Sequence, residues 1–148
     1  MLSIGLFSVA AIACANTLED IKKTKVLKVC IWPDYFGVSY RNPRSGALQG
    51  VDIDMSRDLA QELGVKLQYV ETSFANFITD IEGGNCHIAM MGVGVIPSRT
   101  ERVNFSAPYL RSDVYAVTSK SNTTIKTWDD LDRPGRVISV LKGTFMEP

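Results

Sequence analysis

At 148 residues, 45% hydrophobic and 22% charged, the chain has the composition of a globular protein with one core of modest size. Lysine plus arginine and aspartate plus glutamate each total 16, so the formal net charge is zero. No basic stripe interleaves with aromatics, which argues against a nucleic-acid surface. Past the first fifteen residues no apolar run is long enough for a transmembrane helix.

Those first residues, 1–15, carry no charge and are nearly all apolar or small. Ala13-Cys14-Ala15 fits a small-x-small cleavage site, so the segment reads as a secretory signal peptide, though without a positive start. Cys14 also offers a lipid attachment point, the competing reading. Residues 18–25 form a short polar helix candidate. Residues 26–31, apolar and β-branched, predict a strand. Residues 32–37 carry turn residues and predict a loop, 39–41 a short strand, and 42–50 a turn punctuated by Pro43, Gly46 and Gly50.

Met55, Leu59, Ala60 and Leu63 then recur at helical spacing. Asp52 and Asp54 stand at the start of this helix and read as capping carboxylates. Gly64 stops it. Residues 65–70 alternate as a strand, and Ser73 is placed to cap a helix with Phe74, Phe77, Ile78 and Ile81 on one face. Gly83-Gly84 ends that helix, and residues 88–91 form a continuous apolar strand. The order β, α, β, α, β with helical crossovers predicts an α/β unit on a parallel sheet.

Ligands in such folds lie beyond the carboxyl ends of the strands. Three loops converge there: residues 32–37, 71–74 and 92–99. Gly92 and Gly94 let backbone come close to a ligand. Pro97-Ser98-Arg99 forms one helical turn, and the Arg99 guanidinium fork matches a carboxylate through two parallel hydrogen bonds. Arg102 shares that face and reads as a solvated charge. Residues 114–117 predict a strand, 119–124 a polar linker, 128–131 a helical turn and 137–141 a strand, with Lys142-Gly143-Thr144 opening a helix. A unit opened by one strand cannot bury its own face, so most of a second lobe is expected to be missing. Cys30 and Cys86 fall at staggered positions along the sheet and read as buried free thiols. His87 reads as structural. No metal-ligand spacing occurs, and no cofactor is expected.

Several motifs occur in register: Gly50-Val51-Asp52-Ile53-Asp54-Met55, Pro97-Ser98-Arg99, Val103-Asn104-Phe105-Ser106-Ala107-Pro108-Tyr109 and Lys142-Gly143-Thr144. Over residues 18–147 the chain resembles the bacterial extracellular solute-binding proteins, family 3, the polar amino-acid receptors of ABC importers. The resemblance implies a periplasmic-binding-protein-like fold of type II, with two parallel-sheet lobes closing on a ligand as a clamp. Residues 16–117 would be lobe 1, and 118–148 the crossover and the start of lobe 2. It implies Arg99 on the ligand α-carboxylate, backbone contacts from Gly92 and Gly94, and a hydroxyl and N–H from Thr144. Tyr35 and Phe74 match the aromatics that sandwich the ligand, with Trp32 as a further pocket wall. A membrane permease would be the partner and the periplasm the location.

The chain also departs from the pattern. Gly37 and Val38 replace a Pro and a Phe, Gly94 and Ile96 replace threonines, and His87 stands where an aspartate is common. Trp32 stands where a polar residue is common and disfavours a cationic ligand side chain. Pro108-Tyr109-Leu110-Arg111 and the Asp34-Tyr35 loop also resemble cyclohexadienyl and arogenate dehydratases on the same fold, an enzymatic alternative. A sensory input domain is the third.

Overall fold

The computed structural model describes residues 17–147. The signal-peptide and Cys14 readings lie outside them. The chain runs α1 (Thr17–Thr24), β1 (Val26–Ile31), β2 (Asp34–Tyr35), β3 (Ser39–Arg41), β4 (Leu48–Gln49), α2 (Val51–Glu62), β5 (Lys66–Glu71), α3 (Phe77–Glu82), β6 (Ile88–Ala89), α4 (Pro97–Thr100), and a 3-10 turn at Trp128–Asp130. β1 lies between β5 and β6, parallel to both, in the order β5-β1-β6. The β-α-β-α-β expectation therefore holds. A second, antiparallel sheet of β2, β3 and β4 lies within the stretch expected to be mostly loop and turn.

The central strand is covered on both faces, as its nearly continuous apolar run requires. On one face Leu27, Val29 and Ile31 of β1 pack with Ile53 and Ala60 of α2 and Ile21 of α1. On the other, Phe77 of α3 packs with Phe74 and Met91, and Ala89 joins them. Each fully buried large side chain stabilises the fold by about 1.5–3 kcal/mol relative to exposure.

This two-faced packing corrects the cysteine reading. Cys30 and Cys86 form a disulfide, with Cα atoms 5.6 Å apart. The stagger argument assumed that Cys86 continues the line of β6. That strand begins only at Ile88, and the turn before it comes off α3. Cys30 is in register with Ala89, whose side chain joins the α3 face. Cys86 approaches that same face from the end of α3.

α2 starts where expected but is capped differently. The N–H groups of Val51 and Asp52 donate to the carbonyls of Gly37 and Val38, in the β2-β3 turn. With its first donors met by backbone, the helix has no side-chain cap, and Asp52 is released for other contacts. Gly50 allows this approach: it has φ +129°, and a Cβ there would sit 2.3 Å from the Val38 carbonyl oxygen. At the other end Gly64 adopts φ +63°. Its N–H donates to Gln61 O and that of Val65 to Ala60 O, a Schellman closure. Ser73 likewise acts through its carbonyl, which accepts from Asn76 and Phe77, and α3 has no side-chain cap.

Three expected elements do not form. Residues 114–117 and 137–141 have strand composition, but no neighbour pairs with either among the described residues. Val117 and Val137 are almost fully exposed. Residues 142–146 make turns rather than a helix start. A strand needs a hydrogen-bonded neighbour, so composition alone does not make one.

Candidate functional site

The crevice lies beyond the C-terminal ends of β1, β5 and β6. α4 is a single turn that places Arg99 over it. Pro97 takes the first helical position, and the Arg99 and Thr100 N–H groups return to the Ile96 carbonyl. The Arg99 side chain is buried, at 4% exposure. Nη1 donates to Gly94 O at 2.8 Å and Nη2 to Gly143 O at 2.8 Å. The guanidinium carbon lies 5.5 Å from the centre of the Phe77 ring, a cation–π contact. Both partners are neutral carbonyls, and Arg99 is in none of the ion pairs among the described residues. Burial draws its pKa below the ordinary arginine value, while the group stays a cation at any physiological pH. Arg102 instead pairs with Glu82 through Nε at 2.9 Å, on the surface as expected.

Three aromatics cluster in the same crevice. Ring centroids are 5.4 Å apart for Trp32 and Phe74, 5.9 Å for Trp32 and Tyr35, and 6.2 Å for Tyr35 and Phe74. With Gly92, Gly94, Arg99 and Thr144 they line one cleft of about 200 Å³. The seven residues singled out in the sequence are thus brought together.

Their individual contacts differ from expectation at two points. The Gly92 N–H donates to Asp52 Oδ2 at 2.8 Å, and so is spent within the protein. Thr144 lies in a turn, not at a helix N-terminus, and its hydroxyl donates to Leu141 O at 2.7 Å. Gly143, beside it, supplies the carbonyl that meets Arg99. It also comes so close to Phe74 and Ala75 that a Cβ would sit 2.4 Å from the Ala75 nitrogen.

Asp52 and Tyr109 do not line this cleft but are tied to it through Gly92, a link the sequence does not single out. Asp52 is fully buried, and its Oδ1 accepts from the Tyr109 hydroxyl at 2.7 Å. Burial first, then this bond, raises the Tyr109 pKa well above the ordinary tyrosine value, so the hydroxyl remains a donor. A signal was present: Asp52, Ser56 and Ala60 recur every four residues and are all buried, whereas Asp54 faces out and pairs with Arg57 at 2.9 Å. His87 proves structural. Its Nδ1 accepts from the Lys28 N–H at 3.1 Å, and its Nε2 lies 3.3 Å from Asp20.

The family model for bacterial extracellular solute-binding proteins, family 3, matches residues 27–144. The chain belongs to this family. Its α/β fold is that of the type II periplasmic binding proteins. It is 35% identical over 131 residues to the cyclohexadienyl dehydratase of Pseudomonas aeruginosa, covering 88% of this chain and 48% of that one. Other relatives carry the names of histidine-, cystine- and further amino-acid-binding proteins. The chain spans about half the length of the curated relatives it matches. Among solved structures, an ancestral amino-acid-binding protein described as a precursor of cyclohexadienyl dehydratase superposes with a TM-score of 0.74 at 35% identity. That match covers 80% of this chain and 52% of the other. A variant of domain 1 of TmArgBP, in its arginine-bound form, gives a TM-score of 0.59 at 25% identity, covering 63% and 71% of the two chains.

Proposed function

We propose that this chain binds the carboxylate of an amino acid or similar small solute, as part of the substrate-binding component of an ABC importer. The observation that carries the reading is Arg99. A guanidinium buried to 4% exposure, held by carbonyls and lacking a carboxylate partner, favours an anion. The aromatics Trp32, Tyr35 and Phe74 are the wall against which the rest of the solute packs. Gly94 brackets the arginine through its carbonyl, Gly92 sets the approach of the loop, and Thr144 lines the same cleft. Residues 16–117 are assigned to lobe 1, and 118–148 to the crossover and the start of lobe 2. The disulfide supports export to an oxidising compartment, the periplasm, with a membrane permease as partner.

Calorimetric titration and thermal unfolding with a panel of L-amino acids test this. At a hundredfold excess over its dissociation constant, a bound amino acid stabilises the fold by about 2.7 kcal/mol. Arg99→Ala should remove that gain while the chain still folds. A gain that survives in the variant refutes the carboxylate assignment.

The 35% identity to a cyclohexadienyl dehydratase supports a second reading, catalysis on the same scaffold. Incubation with prephenate and arogenate, with aromatic product followed by absorbance, separates the two. Turnover would replace the binding reading with an enzymatic one.

A further inference from the structure

We propose that Asp52 is a positioning residue for ligand binding, tying the Gly92 loop to the Tyr109 segment and so setting both walls of the cleft. This rests on the reading of the cleft as a carboxylate site.

A fully buried carboxylate is costly unless hydrogen-bonded, and Asp52 is bonded through both oxygens. Oδ2 accepts from Gly92 N–H at 2.8 Å and Oδ1 from the Tyr109 hydroxyl at 2.7 Å. These donors lie 40 and 57 residues away in sequence. One side chain therefore pins together the start of α2, the loop after β6 and the segment that leaves the α/β unit. Bonds to a charged acceptor are short and directional. At the helix start the macrodipole also favours a negative group.

What Asp52 holds bears on the ligand from two sides. Gly92 has φ +64°, and a Cβ there would lie 3.0 Å from Cε1 of Tyr35. The ring is seated directly on the glycine, so the height of this loop sets the aromatic wall. Two residues on, the Gly94 carbonyl holds Nη1 of Arg99. A shift of Gly92 therefore moves Tyr35 and tilts the guanidinium together. Asp52 lines neither side of the cleft and acts only through these neighbours.

Three variants separate this role from simple stability. Asp52→Asn keeps the shape: its amide oxygen accepts from Gly92, and its NH2 donates to the Tyr109 oxygen. Tyr109→Phe removes one donor and keeps the ring. Asp52→Ala removes both bonds. Amide hydrogen exchange at Gly92, followed by NMR on the 148-residue chain, reads the tie without ligand. Exchange should accelerate about tenfold or more in Asp52→Ala and severalfold in Tyr109→Phe, and stay near the parent rate in Asp52→Asn. Unchanged exchange in both Tyr109→Phe and Asp52→Ala overturns the proposal. If Asp52→Ala does not fold, unchanged exchange in Tyr109→Phe alone overturns it.

Titration with L-arginine, L-histidine and L-cystine reads the consequence. For any of these that the parent binds, Kd should rise about tenfold or more in Asp52→Ala and stay within about threefold in Asp52→Asn. Lost Gly92 protection with an unchanged Kd overturns the positioning role and leaves the carboxylate reading standing. A parent chain that binds none of the three overturns these three as its solutes and the binding role of Asp52 toward them, while the carboxylate reading is decided by the wider panel and Arg99→Ala. The exchange at Gly92 then still decides whether Asp52 holds the loop.

Discussion

Arg99 and the glycines around it show how much depends on single positions. Arg99 needs a carbonyl on each side, and both come from glycines, Gly94 and Gly143. Gly50 and Gly84 make a useful contrast. Both adopt positive φ, but a Cβ at Gly50 would meet Val38 O at 2.3 Å, whereas Gly84 has open space. Gly84→Ala should therefore cost about 1 kcal/mol, from backbone strain alone. Gly50→Ala should cost several times as much, since α2 must move off the turn that caps it. Urea unfolding of the two variants side by side checks this, and equal losses would refute the capping account. At this scale the site is largely legible in the sequence. Arg99 announces itself by its fork-shaped side chain after two glycines, and Tyr35 and Phe74 by their place at strand ends. Asp52 does not, because two acids at a helix start match the common capping pattern. Only the four-residue spacing to Ser56 and Ala60 distinguishes the buried acid from its exposed neighbour.

Among the elements, α1, β1, α2, β5 and α3 follow from local patterning, because each has one periodicity and clear stop signals. Of the small antiparallel sheet only β3, at residues 39–41, is legible in the sequence. Its partners β2 and β4 are two residues long, too short for alternation to register. The disulfide escapes a sequence reading for a related reason: its geometry depends on the path from α3 to β6, which no local pattern encodes. That bridge closes a sequence separation of 56 residues spanning α2, β5 and α3. On the chain-entropy account it should contribute about 4 kcal/mol. Unfolding with and without a reductant, alongside a Cys30→Ala/Cys86→Ala double variant, measures it. Loss of less than about 1 kcal/mol in both would show that packing between α3 and the sheet suffices by itself.

Over the whole molecule, charge is balanced and spread over small local networks. Asp80 is held below the ordinary carboxylate range, chiefly by the Thr72 hydroxyl and then by the Asn85 amide. Glu82 is lowered by Arg102, and Asp130 chiefly by the Lys126 and Thr127 N–H groups. A carboxylate with a depressed folded-state pKa stabilises the fold above its unfolded value and ceases to do so as pH falls through the folded value. The unfolded values here are near 3.8 and 4.5. Stability from these groups should thus be level from pH 7 to about 5 and decline below about 4. Urea midpoints measured across pH 3–7 test the sign, and a rise on acidification would contradict it. Beyond residue 103 the sequence suggests strands that do not form, since pairing is a property of neighbours and not of one segment. On the proposed reading, a solute carboxylate would meet a guanidinium whose Nη1 and Nη2 each already give one N–H to a carbonyl of the chain, Gly94 O and Gly143 O. A guanidinium carries five N–H donors, so the two carbonyls aim the fork and leave three donors for an arriving anion.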